Sequence, residues 1–263
     1  MIYIKDLCQY LEEIAPLHLQ ESYDNAGLIT GHPDWEVKAV LISLDATESV
    51  IDEAISLGAN MVISHHPIVF RGLKSFTGNH YVERAIIKAL KNDIALYAIH
   101  TNLDNVLING VNQKIADKIV LQNCTILSPK MSNIPDIGAG IIGELAHPLP
   151  ISDFLAHIKK NLQCHSIKYT SHLKRPVHKV AICGGTGAFL IPEAIRSGAD
   201  VFITSDLKYH EFFEANEQII LMDIGHFESE QFTIELLFEL ISKKYRNFAA
   251  HCTKTNTNPV QYY

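Results

Sequence analysis

The chain has 263 residues, of which 47% are hydrophobic and 19% are charged, as in an ordinary globular protein. Its 29 acidic and 22 basic side chains give a formal net charge of −7, so we expect no nucleic-acid partner. The five cysteines form no C-x-x-C pair, which argues against a disulfide framework or a cysteine zinc site and indicates a reducing compartment. Because the start lacks signal-peptide character and no apolar run approaches about 18 residues, we expect a cytoplasmic protein without membrane contact.

The predicted elements form an internal repeat. Residues 37–66 (VKAVLISLDATESVIDEAISLGANMVISHH) align without gaps with residues 177–206 (VHKVAICGGTGAFLIPEAIRSGADVFITSD), and ten of the 30 positions are identical. Each copy reads as a β-branched strand, a helix that ends at a glycine, and a second short strand, which is a parallel β-α-β unit. The sequence therefore predicts an α/β fold: two similar subdomains from an internal duplication, built as layered sheets with helices on their faces. We expect the first subdomain to comprise residues 1–125 plus 222–263, and the second to comprise residues 126–221.

Histidines and carboxylates stand beyond the carboxyl ends of strands, where ligand sites form in parallel sheets. His65 and His66 follow the second strand of the first copy, and Asp104 follows the next strand pattern. His226 and Glu230 are four residues apart on one face of a helix that we predict from His226 through residue 244. Imidazole and carboxylate ligands without thiolate suit Zn, Fe, Mn, Co or Ni.

Five such ligands suit two metal ions better than one. A single catalytic ion needs open positions, whereas two ions about 3.5–4 Å apart share a bridging carboxylate. His65 and His66 diverge as neighbours in an extended segment, which Pro67 favours, so each imidazole would bind a different ion. We therefore predict two divalent metal ions per chain. Taken singly, the same residues also have ordinary interpretations, as polar strand ends, a turn aspartate or a helix-surface pair.

Six stretches of the chain together resemble the GTP cyclohydrolase I type 2 homologs, also called the Nif-three-like dinuclear metal-centre family. In family order they are YDNAGLITG (23–31), SHHPIVFRGLKS (64–75), HTNLDN (100–105), CGGTGA (183–188), TSDLKYHEF (204–212) and DIGHFESE (223–230). The resemblance implies that His66 and Asp104 hold one ion, that His65 and His226 hold the other, and that Glu230 bridges them.

The resemblance also bears on assembly and activity. It implies two similar α/β subdomains, a toroidal homohexamer, and a short form that lacks the large inserted domain of some members. Ser205 departs from the glycine of the family's usual T-G-D, which affects only that loop. We predict a metal-dependent hydrolase that uses a metal-activated water on a nucleotide or phosphoester-type small molecule; the family name points to the imidazole ring of GTP. The alternatives are a non-catalytic metal-binding or metal-delivery protein and a ring-shaped scaffold.

Some side chains in the matching stretches have both a substrate-binding and a structural interpretation. Arg71 and Lys74 would meet an anionic substrate or lie in a solvated loop. His100 would orient a ligand or pack below it. Tyr209 and His210 would face the cleft or form the outer face of a helix.

Two further groups also leave alternatives open. Asp24 and Asn25 would support a metal ligand or form an Asx turn. Gly184, Gly185 and Gly187 would let backbone amides approach a phosphate or would form a tight strand-to-helix turn. We interpret the other histidines considered as surface or structural residues: His147, His157, His165, His172, His178 and His251.

Overall fold

The computed structural model describes residues 1–130, 133–171, 175–246 and 248–263. Within these residues the chain forms two compact units, each with one β-sheet. The first unit comprises Met1–Leu103 and Thr233–Pro259, and the second comprises Asp104–Phe232 and Val260–Tyr263. Among the residues described, a helix with the length and hydropathy of a bilayer span is absent.

Five strands form the sheet of the first unit in the described part of the chain. In spatial order they are β1 (Gly27–Thr30), β4 (Ala95–Ala98), β3 (Met61–Ser64), β2 (Val40–Ser43) and β11 (Ala250–Cys252). Neighbouring strands are parallel except β1, which runs antiparallel to β4. The helices are α1 (Ile4–Ile14), α2 (Glu48–Ser56), α3 (Tyr81–Lys91) and α9 (Thr233–Lys244), and the short α4 (Thr101–Asp104) begins after β4.

The central strands of this sheet are covered on both faces. Every residue of β2 and β3 is buried, and successive side chains alternate between the two faces. On one face, Leu41 and Val62 pack with Val50 of α2 and Ala85 of α3 in a continuous apolar core. The carboxyl ends of β2, β3 and β4 therefore extend from a well-packed apolar core.

The second unit contains a sheet of six strands within the described residues. In spatial order they are β5 (Gln122–Pro129), β6 (Gly138–Leu149), β8 (Val177–Thr186), β9 (Val201–Ser205), β10 (Ile220–Asp223) and β7 (Lys168–Tyr169). The pairs β8–β9 and β9–β10 are parallel and the others antiparallel. The helices are α5 (Val111–Lys118), α6 (Ile151–Asn161), α7 (Ile191–Arg196) and α8 (His226–Glu230).

The two copies of the repeat have the same strand register, which confirms the predicted duplication. Val40 lies opposite Met61 in the first unit, and Val180 lies opposite Val201 in the second. Both strand pairs are parallel, and a helix connects the strands in each. The copies diverge at the helix, because α7 has six residues where α2 has nine. The fold is thus the predicted α/β class.

The limits of the units differ from the predicted boundaries at 125/126 and 221/222. Strand β5 pairs with β6 from Gln122 onward, so the second unit begins earlier than expected. At the other limit, the amide of Gly185 in β8 donates to Oγ of Ser229 in α8, which ties α8 to the second unit. The single helix predicted from His226 through residue 244 is instead two helices. They are separated at Gln231, whose side-chain amide donates to the backbone oxygen of Leu162.

Candidate metal-binding residues

Three imidazoles of the first unit lie side by side beyond the carboxyl ends of β3 and β4. The ring centroids of His65, His66 and His100 are 5.0, 5.3 and 5.4 Å apart. One nitrogen of each ring lies within 4.8 Å of the others. Nitrogen ligands at this spacing fit a transition-metal ion.

Hydrogen bonds fix the orientation of the two adjacent histidines. Nδ1 of the fully buried His65 lies 2.8 Å from the backbone oxygen of Ile99, and Nδ1 of His66 lies 2.8 Å from Oδ1 of Asp45. A carbonyl or carboxylate at Nδ1 favours the tautomer with the proton on that nitrogen, which leaves the Nε2 lone pair for a metal. Burial alone would raise the pKa of Asp45, but hydrogen bonding to His66 outweighs this effect and lowers it.

His100 is oriented in the same way by a buried carboxylate. Its Nδ1 lies 2.8 Å from Oδ1 of Asp24, whose other oxygen accepts from the backbone amide and the hydroxyl of Thr101. Burial would raise the pKa of Asp24, but the bonds from His100 and Thr101 outweigh it and lower this pKa to about 2. Asp24 also accepts from the amide of Asn25, so the same carboxylate bonds to the neighbouring backbone and supports the histidine.

In the second unit an imidazole stands between two carboxylates. Nδ1 of His226 lies 2.6 Å from Oδ2 of Asp206, and Nε2 lies 3.0 Å from Oε2 of Glu230. Burial lowers the pKa of His226, but Glu230 and Asp206 together raise it to about 11. Surroundings negative enough to favour an imidazolium equally favour a metal cation. The predicted pairing of His226 with Glu230 on one helix face is therefore seen directly.

The glycine stretch of the second unit has a different role from the phosphate contact considered from sequence. The amide of Gly184 donates to Oδ1 of Asn112, and that of Gly185 donates to Ser229, so both are engaged within the protein. Gly185 has φ +65°, and a Cβ there would lie 2.3 Å from Oε1 of Glu230. Gly185 therefore gives the Glu230 carboxylate room. Asn112 also donates to the backbone oxygen of Asp104, the remaining predicted ligand, at the end of α4.

The substrate-binding candidates occupy different surroundings. Arg71 lines a cavity together with His66, whereas Lys74 is exposed and lies outside its lining. His100 belongs to the imidazole group described above. Tyr209 and His210 are exposed on a 3-10 helix of the second unit, and Tyr209 lines a cavity there.

The sequence reasoning missed two residues that matter to the geometry: Asp45 and Asp206. Both follow a parallel strand, so the strand-end pattern that singled out His65 could have found them. His172 lies outside the described residues. The other histidines interpreted as surface or structural residues do not belong to the metal-ligating groups among the residues described: His147, His157, His165, His178 and His251.

Comparison with known proteins places this arrangement in a family. A "GTP cyclohydrolase 1 type 2 homolog" of Clostridium acetobutylicum is 34% identical over 228 residues, covering 86% of this chain and 85% of the relative. Its namesake in Staphylococcus epidermidis is 29% identical and covers 98% and 99% of the two chains; that alignment extends over 366 positions, because the staphylococcal protein has residues that this chain lacks. The crystal structure of a Staphylococcus aureus hypothetical protein matches with a TM-score of 0.93 and 32% identity over 99% of both chains. The family model for Duf34/NIF3 (NGG1p interacting factor 3) matches residues 2–259, and the chain belongs to this family.

Proposed function

We propose that this protein binds a dinuclear metal centre and acts as a metal-dependent hydrolase on a nucleotide or another phosphoester-type substrate. The observation that carries the proposal is a hydrogen-bond pattern that four imidazoles share: those of His65, His66, His100 and His226. Each has Nδ1 against an oxygen acceptor. An oxygen acceptor at Nδ1 favours metal binding through Nε2, and His65, His66 and His226 in this arrangement, with carboxylates nearby, fit the ligand chemistry of Zn, Fe, Mn, Co or Ni.

The proposed ligands are the five side chains identified from the sequence. Following the family resemblance, His66 and Asp104 bind one ion, His65 and His226 bind the other, and Glu230 bridges both. Two divalent ions bound in this way supply Lewis-acid activation of water and neutralise charge that develops on the substrate. We assign His100 to substrate binding and not to the metal ligands. We further propose from the resemblance that the protein assembles as a homohexamer.

The chain's own residues have defined tasks in this proposal. Asp45 and Asp206 keep the rings of His66 and His226 in the metal-binding tautomer. The hydrogen bonds at both oxygens of Asp24 hold its carboxylate ionised next to His100, so that His100 is available to donate a proton through Nε2 when it is protonated.

Metal analysis and a turnover screen test the proposal together. Protein purified without chelators, and then reloaded with Zn, Mn or Fe, should contain close to two ions per chain by elemental analysis. The loaded protein is then screened for hydrolysis of GTP, other nucleotides and phosphoesters, with Glu230→Gln as the inactive control. Two ions without turnover of any substrate would favour the metal-delivery alternative, and fewer than one ion per chain would refute the metal centre itself.

A further inference from the structure

A cavity of about 690 Å³ opens beside His66 in the first unit. Its walls combine apolar side chains, among them Ile68, Phe70 and Leu73, with the guanidinium of Arg71. Cavities of this size, mostly apolar and with a few polar groups, are typical of small-molecule sites. Because His66 is a proposed metal ligand, a molecule in this cavity would lie next to the metal centre.

One wall of the cavity is an aromatic ring held in place. Phe70 stacks on Tyr23 with centroids 6.1 Å apart and 28° between the ring planes, and it meets His100 edge-on at 5.8 Å. Nevertheless 45% of Phe70 is exposed. A fixed and partly exposed ring favours a planar aromatic partner, which packs on it at little cost in side-chain entropy.

The charged groups of the cavity also restrict the ligand. Within the described part of the chain, no carboxylate forms an ion pair with Arg71. The one carboxylate in the lining, Asp45, is already bound to His66 and to the hydroxyl of Thr257. Lys74 lies outside the lining, so the cavity offers one guanidinium to an anion. A single guanidinium matches a single carboxylate or phosphate group on a ligand.

We propose that this cavity binds a small planar aromatic or heteroaromatic molecule that carries a single anionic group. The ring packs on Phe70, the anionic group pairs with Arg71, and the molecule reaches His66 from the side of this cavity. The proposal narrows the substrate class of the proposed hydrolase and rests on it for the role of His66, although the binding itself needs only the cavity.

Binding of naphthalene probes tests this inference. The probes are 2-naphthoate and 2-naphthylphosphonate, which combine ring and anion, 2-naphthalenemethanol, which has the ring alone, and inorganic phosphate. Calorimetry on wild type should show that one or both anionic naphthalenes bind at least about tenfold more tightly than the two single-feature probes, since a charge-assisted hydrogen bond is worth a factor of about ten. The better of the two anions identifies a carboxylate or a phosphate class.

Variants separate the cavity from non-specific binding. Arg71→Gln should weaken binding of the preferred anion about tenfold, to the level of the neutral alcohol. Phe70→Leu, which keeps an apolar side chain, should weaken every naphthalene probe. Lys74→Gln is the matched control and should leave binding within twofold of wild type. An equal loss in Lys74→Gln and Arg71→Gln, or no preference of wild type for the anionic ring, would overturn the proposal.

The measurements are repeated after chelation, with metal content determined on the same samples. Probe binding that persists at zero metal content supports the cavity even if the proposed metal centre fails. Two ions per chain without selective probe binding would refute the proposed ligand binding in the cavity and leave the proposal of a metal centre intact.

Discussion

The hydroxyl of Thr257 donates a hydrogen bond to Oδ2 of Asp45, whose other oxygen lies 2.8 Å from Nδ1 of His66. The segment after β11 thus reaches a proposed metal ligand through one carboxylate. We expect Thr257→Val to weaken binding of the ion assigned to His66 about fivefold, because supporting carboxylates contribute about 10–100-fold and Thr257 acts one step further away. Competition titration with a fluorescent zinc chelator measures this change.

A conservative variant controls for side-chain packing at this position. Thr257→Ser keeps the hydroxyl and loses a methyl group, so it should retain nearly wild-type affinity. If the serine and valine variants lose affinity equally, Thr257 acts by packing and does not orient Asp45.

Asp45, which bonds to His66, and Asp206, which bonds to His226, should act on separate ions. Asp45→Asn should weaken the ion held by His66 about 10–100-fold, because an amide can donate to Nδ1 and so favour the tautomer that cannot bind metal through Nε2. Asp206→Asn should weaken the ion held by His226 by a similar factor. Nitrogen NMR of the imidazoles would report the tautomers directly. Loss of both ions in either variant would show that the two positions are not independent.

Much of the fold was predictable because its signals are local. The β-branched runs and the glycine after each helix define both β-α-β units, and the gapless offset predicts the shared register. Ligand sites form beyond the carboxyl ends of parallel strands, and this rule placed His65 and His66 there because it requires only the direction of the strand. His226 and Glu230 were predictable as a pair because helix geometry links residues four apart.

What the sequence could not show depends on contacts between distant residues. Thr257 and Asp45 are 212 residues apart in the chain, and Asp45 and His66 are 21 apart, so no periodicity connects them. The role of Gly185 also could not be read from the sequence, because a glycine that makes room for a carboxylate looks the same in sequence as one that admits a phosphate. The break between α8 and α9 arises at Gln231, whose side chain binds the distant Leu162 backbone.

Gly185→Ala should damage the metal centre more than it damages the fold. An alanine at φ +65° costs about 1–2 kcal/mol in the free energy of unfolding, as for any L-residue in the left-handed region. The new methyl group would also meet Oε1 of Glu230, and the flexible carboxylate can turn away from it. That movement would displace the proposed bridging ligand, so we expect at least one ion per chain to be lost.

Gly198→Ala provides the matched control for backbone strain. Gly198 has φ +72°, and a Cβ there meets no heavy atom within 4 Å. Its variant should lose a similar 1–2 kcal/mol by chemical denaturation yet keep full metal content. Equal metal content in the two variants would show that Gly185 does not serve Glu230.

Glu230→Gln should empty at least one metal position, whereas His226→Gln should weaken one ion only. Glutamine keeps the shape of the side chain but loses the charge and the second anionic oxygen. Two neighbouring dications repel each other strongly in a buried site, and only a bridging anion offsets that repulsion for both. Without His226, the other ion still has His66 and Asp104.

Glu228→Gln, on the same helix but outside the proposed ligands, is the control and should retain both ions. Circular dichroism establishes that all three variants fold, and elemental analysis compares their metal content. A Glu230→Gln protein that holds two ions as tightly as wild type would exclude the bridge and leave His226 and Glu230 as an ordinary pair within a helix.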